Sequence, residues 1–383
     1  MRIGLIRMRH TPFGGAETFM GRFIKELLRR GHTVEVFSRE WEREEDGVLV
    51  HRIKTFGPSF LKPLVFAWRA KKEVERAAPD VVVSLERTFC QDVYRAGDGV
   101  HREWLERRCA VTGSLVRRFL IRLNPLHPVL LYLERRLFTD RRLKKIVANS
   151  NGVKRDIVRH YGLPEDKICV IYNGIDPASY EVNEADSTER AGVRSELGVG
   201  EATTLLVFVG SGFERKGLIY AIRALALLKD DCDARLVVVG KGNPARYLRE
   251  AKRGGVGERV MFTGPVKGAR KYYRAGDIFI LPTVYEPFSN ACLEAMASGL
   301  PVVTTKQNGA SEIMTDGADS VLLDDPADAG ALARKLKPLL DAEFRKKAGI
   351  LARAKALNYT IERNVDGFLR VIEGVREGVR EGL

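Results

Sequence analysis

The sequence lacks the features that mark secreted, disulfide-rich and membrane-spanning proteins. Its cysteines never form a C-x-x-C pair, so neither a disulfide framework nor a zinc site is predicted; they are Cys90, Cys109, Cys169, Cys232 and Cys292. No apolar run approaches the roughly 18 residues of a membrane span, and Arg7 interrupts the N-terminal "MRIGLIRMRH", which argues against a signal peptide. We therefore expect a cytoplasmic protein.

Two nucleotide-binding motifs are also missing. The chain has no G-x-G-x-x-G fingerprint after a strand, which argues against a nicotinamide or flavin enzyme. It has no G-x-x-x-x-G-K-[ST] sequence either, so it is not predicted to be a P-loop protein. The one D-x-D-like string, "DCD" at 231–233, precedes a predicted strand and so lies at the edge of the sheet away from a site. We expect no catalytic metal.

Positive charge is concentrated in the first half of the chain. The 383 residues carry a net charge of +14, and residues 1–183 hold 34 Lys/Arg against 23 Asp/Glu. Residues 101–150 hold 12 basic and 4 acidic residues among leucines and aromatics. Such a surface can bind nucleic acid, anionic lipid or a phosphorylated substrate. An ordinary solvated helix face beside a core face explains the pattern equally well.

Apolar runs of four to seven residues alternate with amphipathic segments, which is typical of βαβ units with parallel strands. The pattern restarts after residue 200 with "TLLVFVG", so we predict two doubly wound α/β domains. The polar stretch 181–200 is the predicted linker. The expected domains are therefore 1–180 and 181–361, and the terminal amphipathic helix, about 362–383, is expected to pack back on the first domain.

The turns that follow strands in such folds commonly bind ligands. Gly14 and Gly15 precede a helix, where they could admit a ligand or simply form a tight turn. In the second domain the strand "LLVFVG" is followed by "SGFERKG", whose Gly210 and Ser211 precede Arg215 and Lys216. Two cations at a helix start oppose the helix dipole, and a diphosphate would compensate them. A solvated, charged turn is the alternative.

The stretch "YEPFSNACLEAM" carries two acidic side chains, Glu286 and Glu294. Pro287 keeps Glu286 out of the helix, and Ser289 or Asn290 can cap the helix that follows. Neither cap has an acidic partner three residues later, so Glu294 is not explained by a capping box. Carboxylates suit sugar hydroxyls, and amides at a helix start suit phosphate oxygens. The pair is therefore typical of a nucleotide-sugar site, although a surface acid and a dipole-stabilising acid would look the same.

Several segments together resemble one enzyme family. They are "FGGAE", "YRAGDGVHREWL" (94–105), "ANSNGVKRDIVRHYGLPEDKICVIYNGID" (148–176), "GSGFERKG" (210–217) and the E-x7-E of Glu286 and Glu294. In this order they resemble the retaining GT-B glycosyltransferases of family 4 (group 1), nearest to the lipopolysaccharide core α-glucosyltransferases. The resemblance implies two Rossmann-like domains facing a central cleft. It also implies a hexosyltransferase that takes a sugar, glucose first, from a UDP-sugar to a cell-envelope glycan such as the lipopolysaccharide core.

The resemblance assigns roles to residues of this sequence. Arg215 and Lys216 would bind the donor diphosphate and act in catalysis together with Glu286, which would bond the transferred sugar. Glu294 would take the ribose hydroxyls, and the backbone near Val266 would meet the base. Other donor contacts would come from Gly14, Gly15, Gly210, Ser211, Phe288, Ser289 and Asn290. Asp98 and His101 would lie near the acceptor and the sugar, and Asp98 would also be a catalytic residue. An Asp-Gly turn and a structural histidine explain these two residues without the resemblance.

The resemblance also favours same-face attack without a metal, with a donor phosphate oxygen assisting deprotonation of the acceptor and domain closure excluding water. The basic region 101–150 would then hold the enzyme at the anionic cytoplasmic face of the inner membrane rather than bind nucleic acid. "TKQNGASEI" has Asn308-Gly309 where many relatives have two glycines, which leaves the donor contacts of this loop open. A nucleotide-sugar epimerase of similar architecture and a non-catalytic lipid or nucleic-acid binder remain as alternatives. The sequence does not fix the sugar, base, acceptor, linkage or oligomeric state, or whether Asp98 or the donor phosphate takes the proton.

Overall fold

The chain divides into two structural units, each built around its own parallel sheet. The structure is a computed structural model that describes residues 1–10, 15–41, 47–181 and 185–380, without the side chains of 10, 15–18, 185 and 378–380. One unit comprises Met1–Tyr172 and Ile361–Leu383, and the other comprises Asn173–Thr360. The chain therefore passes from the first unit to the second and returns for its last helix.

The sheet of the first unit has seven strands, all parallel, in the order β5-β3-β1-β6-β7-β8-β9. A separate short pair joins β2 to β4. The strands are β1 Arg2–Ile6, β2 Arg9–His10, β3 Thr33–Ser38, β4 Glu40–Trp41, β5 Val48–Arg52, β6 Val81–Ser84, β7 Val93–Ala96, β8 Lys145–Ala148 and β9 Ile168–Val170. All four residues of β6 are buried, as expected for a central parallel strand with helices on both faces.

In the part of this unit that the structure describes, six α-helices lie between the strands. They are α1 Gly15–Arg29, α2 Lys62–Ala77, α3 His101–Val111, α4 Leu115–Leu123, α5 Leu126–Phe138 and α6 Asn151–Tyr161. Local signals explain where several of them begin and end: the Ser150 side chain accepts the Val153 N–H at the start of α6, and Gly162 ends that helix in the left-handed conformation. The helix α4 differs from the others because none of its residues is buried.

The sheet of the second unit has six parallel strands in the order β12-β11-β10-β13-β14-β15. The strands are β10 Thr204–Val209, β11 Ala234–Val239, β12 Val260–Gly264, β13 Ile278–Leu281, β14 Val302–Thr305 and β15 Ser320–Leu323. The helices of this unit are α7 Ala185–Glu196, α8 Leu218–Leu227, α9 Ala245–Arg253, α10 Arg270–Ala275, α11 Asn290–Ala297, α12 Ala329–Leu340 and α13 Ala342–Ala356. All four residues of β13 are buried, so this sheet too is covered on both faces.

The stretch 181–200, which the sequence analysis assigns to a linker, contributes the helix α7 to the second unit. Its Arg194 is almost completely buried, donates to the carbonyl of Ala275 at 2.9 Å and pairs with the Asp277 carboxylate at 3.1 Å. Arg190 pairs with the same carboxylate at 2.9 Å. These ion pairs hold a polar segment against α10. The polar composition of 181–200 therefore resembles that of a linker, although the segment packs on the second unit. The two units divide earlier, between Tyr172 and Asn173.

The last helix, α14 (Ile361–Arg380), is part of the first unit. Phe368 of α14 meets Phe23 and Phe19 of α1, with ring centroids 5.1 and 5.7 Å apart. Leu369 and Ile372 belong to the same buried cluster as strands β1, β3 and β6. This apolar burial fixes the terminal helix on the first sheet.

In both sheets the strand order reverses beside the first strand of the unit. In the first unit β1 has β3 on one side and β6 on the other; in the second, β10 has β11 on one side and β13 on the other. In open α/β sheets, ligands bind beyond the carboxyl ends of the strands at this reversal. The topology therefore points to the segments after β1 and β6, and to those after β10 and β13.

Candidate functional site

Two loops meet at the reversal in the second sheet. The loop after β10 carries Gly210 to Gly217, and the loop after β13 carries Pro282 to Ser289. The Arg215 carbonyl accepts the Val284 N–H and the Thr283 hydroxyl, each at 2.9 Å. The backbone around Arg215 is therefore fixed to the end of β13, and the side chains that follow in the two loops are brought together.

The side chains at this junction form a three-residue cluster of one acid and two bases. Lys216 Nζ lies 2.9 Å from Glu286 Oε2, and Arg215 Nη1 lies 3.1 Å from Glu286 Oε1. Lys216 is 9% exposed and Glu286 is 8% exposed. Burial alone would raise the pKa of Glu286, but the charges of Lys216 and Arg215 outweigh it and lower that pKa below its ordinary value. The cluster therefore holds an ionised carboxylate and a net positive charge.

Glu294 lies on α11, about one turn beyond its start. Its Oε2 accepts the Tyr273 hydroxyl at 2.9 Å. Burial raises the pKa of Glu294, although the Tyr273 hydrogen bond and the Lys216 charge lower it in part. The sequence pattern singles out Glu294 but indicates no partner for it, because Tyr273 is 21 residues away on another helix.

Ser289 is the residue that caps α11. Its side chain accepts the Cys292 N–H, and its own N–H donates to Asn308 Oδ1 at 3.2 Å. The prediction assigns the Ser289 amide to the donor, but this N–H is already bonded within the protein. The reason is Asn308, which is completely buried and also donates to Thr304 Oγ1 at 3.0 Å. The Asn308-Gly309 departure noted in the sequence therefore fastens the loop after β14 to the start of α11.

The other predicted donor residues lie in, or directly after, loops that follow strands of the second sheet. Gly210 and Ser211 directly follow β10, Phe288 is buried, and the Asn290 side chain accepts the Asn173 amide at 2.7 Å. Val266, in the loop after β12, lines an open cavity of about 520 Å³; its other lining residues are Glu189, Lys267, Gly268, Arg270, Lys271 and Tyr272. A planar base has room in a cavity of this size.

At the reversal in the first sheet lies an acidic residue that no pattern in the sequence singles out. Glu86 follows β6, accepts the Met8 N–H at 3.1 Å and pairs with Arg7 at 3.4 Å. Burial raises the pKa of Glu86, the Arg7 charge lowers it in part, and the Asp98 charge raises it again. Of the two predicted glycines here, Gly15 is the first residue of α1, and Gly14 lies outside the described residues.

Asp98 and His101 both lie close to the end of β7. Asp98 is exposed in a turn, whereas the His101 ring is held at the start of α3, with Nε2 3.1 Å from Nδ1 of His127. Burial lowers the pKa of His101 to about 4, so the ring is neutral at pH 7. His101 therefore has the partner of a structural histidine, whereas Asp98 is exposed and its charge acts on Glu86, Arg87 and Arg95.

A buried glutamate holds this segment in place. Glu134 of α5 is completely buried and accepts four hydrogen bonds: from the His101 N–H at 2.6 Å, the Arg102 N–H at 3.1 Å, the Tyr161 hydroxyl at 2.7 Å and Arg87 Nε at 3.0 Å. Arg87 in turn donates to the Gly99 carbonyl at 3.0 Å. The backbone that follows Asp98 is thus tied to one buried ion pair.

Among the described residues, one group of side chains is close enough to share a metal ion. Glu103, Glu106 and His160 each place a potential ligand atom within 4.8 Å of the others. The Glu103 carboxylate is, however, ion-paired with the guanidinium groups of Arg107 and Arg159. These contacts describe a charge network that joins α3 to α6.

The two sheets and their positions in the chain define the fold class. The structure superposes on the crystal structure of WaaG, a glycosyltransferase involved in lipopolysaccharide biosynthesis, with a TM-score of 0.83 over 97% of this chain and 100% of that one, at 23% identity. The predicted GT-B architecture of two Rossmann-like domains is therefore confirmed. Two family models also match, "Glycosyltransferase Family 4" over residues 13–179 and "Glycosyl transferases group 1" over residues 203–342. The chain belongs to the group 1 glycosyltransferases of family 4.

The similarity to known proteins extends over most of the chain. The uncharacterized glycosyltransferase MJ1607 of Methanocaldococcus jannaschii is 29% identical over 328 residues, covering 82% of this chain and 83% of its own. Lipopolysaccharide glucosyltransferase WaaG of Escherichia coli K12 is 25% identical over 345 residues, covering 89% and 90%. The Anabaena protein Alr3699/HepE, in complex with UDP and glucose, has a TM-score of 0.71 at 20% identity, covering 97% and 99%.

Proposed function

We propose that this glycosyltransferase moves a hexose, glucose first, from a UDP-sugar to a hydroxyl of a lipopolysaccharide-core or related cell-envelope glycan, with retention of configuration. The observation that carries the proposal is the cluster of Arg215, Lys216 and Glu286 at the reversal of the second sheet. It combines two cations for a diphosphate with one carboxylate for sugar hydroxyls. The similarity to a lipopolysaccharide glucosyltransferase and to a protein complexed with UDP and glucose supports the choice of substrate.

Each residue of the cluster has a distinct role in this proposal. When the bond between the anomeric carbon and the diphosphate breaks, negative charge develops on the diphosphate. Arg215 and Lys216 stabilise that charge without a metal. Glu286 stays ionised because of the same two cations, and it orients the sugar through its hydroxyls.

The remaining donor contacts are proposed from the family resemblance, and the positions of the loops support them. Glu294 takes the ribose hydroxyls, and the backbone at Val266 meets the base beside the cavity after β12. Gly210, Ser211, Phe288 and Asn290 border the sugar and phosphates. Ser289 contributes by fixing the start of α11 with Asn308 rather than by offering its own N–H.

The acceptor side of the reaction is assigned to the first unit. The new bond joins the acceptor oxygen to the anomeric carbon on the face that the diphosphate leaves. The acceptor proton passes to a phosphate oxygen of the departing diphosphate, so no protein carboxylate needs to become a covalent nucleophile. Asp98, which is exposed and lies three residues before His101 in the chain, orients the acceptor hydroxyl. His101 is neutral and serves as a hydrogen-bonding group.

The exposed helix α4 is proposed to hold the enzyme on the anionic cytoplasmic face of the inner membrane. Five of its large apolar residues are between 58% and 79% exposed: Leu115, Val116, Phe119, Leu120 and Leu123. Arg117 and Arg122 of the same helix are exposed as well. Apolar side chains interleaved with cations suit an anionic bilayer surface. None of the described helices is long and apolar enough to cross a membrane, so this contact would be peripheral.

A panel of UDP-, GDP- and ADP-sugars tests the donor proposal by thermal shift and by turnover with and without a glycan acceptor. We expect UDP-glucose to stabilise the protein, and turnover to require the acceptor and to survive EDTA. Lys216→Ala and Glu286→Ala should each lower turnover by roughly 10²-fold or more. The matched controls are Lys229→Ala and Glu258→Ala, two exposed residues of the same unit. Unchanged turnover in both cluster variants would show that the site is elsewhere, and acceptor-independent conversion of the donor would indicate an epimerase.

A further inference from the structure

The Tyr273 hydroxyl makes a hydrogen bond that is not needed to hold the Tyr273 ring in place. It belongs to α10, is 1% exposed, and packs on Phe279 with ring centroids 5.9 Å apart. From this fixed position its hydroxyl reaches across to α11 and donates to Glu294 Oε2 at 2.9 Å. A phenylalanine would pack equally well in the same place. The hydroxyl therefore has a role that concerns Glu294.

Within the described part of the chain, the Tyr273 hydroxyl is the one hydrogen-bond donor to the Glu294 carboxylate. The other oxygen, Oε1, receives none from these residues. A carboxylate at the end of a flexible side chain would lose rotational freedom on binding a ligand, and this loss weakens binding. A donor that holds one oxygen in advance reduces that loss and leaves the second oxygen for the ligand.

We propose that Tyr273 is a positioning residue that orients Glu294 toward the donor ribose, so that the Tyr273–Glu294 pair determines the preference for ribonucleotides over deoxyribonucleotides. The inference deepens the proposed function and rests on it, since it takes Glu294 as the ribose contact. Tyr273 itself contacts neither the sugar nor the reacting atoms. Its effect is carried by the orientation and the charge of Glu294.

The chemistry favours a diol as the ligand of this pair. A carboxylate only accepts hydrogen bonds, and the neighbouring hydroxyls of a ribose are paired donors. Burial raises the pKa of Glu294, while the Tyr273 bond opposes that rise and so favours the ionised acceptor. A hydrogen bond to a charged group is strong enough that loss of the hydroxyl from the ligand should cost about tenfold in affinity.

The test measures dissociation constants by calorimetry for UDP, 2′-deoxy-UDP and 3′-deoxy-UDP. We expect the wild type to bind UDP about tenfold more tightly than at least one deoxy analogue. In Tyr273→Phe the ratio should fall to about threefold, with affinity for that analogue unchanged within about twofold. Glu294→Gln should abolish most of the preference. The double variant Tyr273→Phe/Glu294→Gln should show a preference for UDP over the analogue no smaller than that of Glu294→Gln alone, because Tyr273 acts through Glu294.

The control is Tyr247→Phe, which removes the same atom from another buried tyrosine of the second unit and should leave the ratio unchanged. Equal weakening of UDP and both analogues in Tyr273→Phe would mean that Tyr273 only supports the fold, and an unchanged ratio would mean that it does not orient Glu294. Either result overturns the inference. If Tyr273→Phe does not fold, an unchanged ratio in Glu294→Gln is the overturning result. A wild type that binds no UDP contradicts the proposed donor instead.

Discussion

The Lys216 side chain crosses the backbone of Gly210 so closely that a Cβ atom at position 210 would lie 2.5 Å from Lys216 Cε. Gly210 also has φ of +144°, a conformation that other residues rarely adopt. Lys216 reaches Glu286 along this path. A glycine at position 210 is therefore needed for Lys216 to place its buried ammonium group beside the Glu286 carboxylate.

Gly210→Ala should displace Lys216 and weaken donor binding. The added methyl group meets the lysine stem, and a shift of about 1 Å in a positioned group can cost roughly 10²-fold in catalysis. We expect turnover to fall by at least about tenfold, and UDP affinity with it. Calorimetry with UDP and initial rates with UDP-glucose measure the two effects.

Gly212→Ala separates this clash from backbone strain. Gly212 has φ of +76°, so alanine there is strained, but no atom lies within 4 Å of the position that its Cβ would take. We expect a loss of stability of about 1 kcal/mol with donor affinity retained. Equal loss of UDP affinity in the two variants would show that strain, and not the path of Lys216, controls the site.

Glu286→Gln should separate donor binding from transfer. The carboxylate offsets part of the positive charge of Arg215 and Lys216 in the structure, so its removal leaves more positive charge for a diphosphate. We expect UDP, which carries no sugar, to bind a few-fold more tightly, while turnover of UDP-glucose falls by roughly 10²-fold. Competition assays and initial rates give the two numbers. Weaker UDP binding would contradict this account of the cluster.

The architecture could be predicted because the central strands are continuous apolar runs. Strands β10 and β13 and the turn with Arg215 and Lys216 stand out in the sequence because buried parallel strands need apolar residues on both faces. Strand β7 is less evident, since it contains Arg95, which is buried with its guanidinium over the Phe19 ring. A charged residue in a strand hides the pattern when its partner is distant in sequence.

Partners across the fold are what the sequence could not supply. Glu86 had no signal because its role depends on Arg7, which comes from another strand end. Tyr273 resembles any aromatic core residue until α10 and α11 are placed together. Asn308 looked like a departure from the family, but its buried contacts give it a structural role. Such contacts depend on tertiary packing, which local patterns do not encode.

Glu134→Ala should strongly destabilise the first unit. The substitution leaves Arg87 buried without its carboxylate and removes the acceptor for the His101 and Arg102 N–H groups. Breaking a buried ion pair typically costs about 3–5 kcal/mol. Denaturant unfolding monitors the loss, and an Arg87→Met/Glu134→Leu double variant should recover part of it. The exposed Glu75→Ala control should cost less than about 1 kcal/mol; a similarly small effect at Glu134 would mean that its bonds are not formed in solution.

Stability should fall as the pH is lowered from 6.5 toward 4, in part because of His101. Its pKa is 6.5 in the unfolded chain and about 4 in the folded protein, owing first to burial and then to the Arg87 charge. The unfolded state therefore binds more protons in this window, and the free energy of unfolding decreases on acidification. His101→Gln should reduce the slope by on the order of 1 kcal/mol per pH unit. Denaturant unfolding at pH 6.5 and 5 checks this, and identical slopes would contradict it.

The apolar residues and the cations of α4 should make separable contributions to membrane binding. Phe119→Glu/Leu120→Glu removes side chains that would enter the bilayer surface, each worth about 1.5–3 kcal/mol when fully buried, so binding should weaken on every vesicle. Arg117→Ser/Arg122→Ser removes about 1 kcal/mol per charge, and only where the lipid is anionic. Vesicle sedimentation with phosphatidylcholine, with and without phosphatidylglycerol, measures both.

The control for this prediction is Ile350→Glu/Leu351→Glu, which alters two apolar residues of α13 that are 61% and 51% exposed in the second unit. If apolar exposure alone determined binding, this double variant would weaken vesicle binding as much as the double variant of α4. If the membrane contact is specific to α4, the α13 double variant should leave vesicle binding unchanged. If vesicle binding of the wild type does not depend on phosphatidylglycerol, Arg117 and Arg122 have no role in membrane binding. Equal losses in the α4 and α13 variants would show that apolar exposure in general, and not the basic helix α4, holds the protein on vesicles.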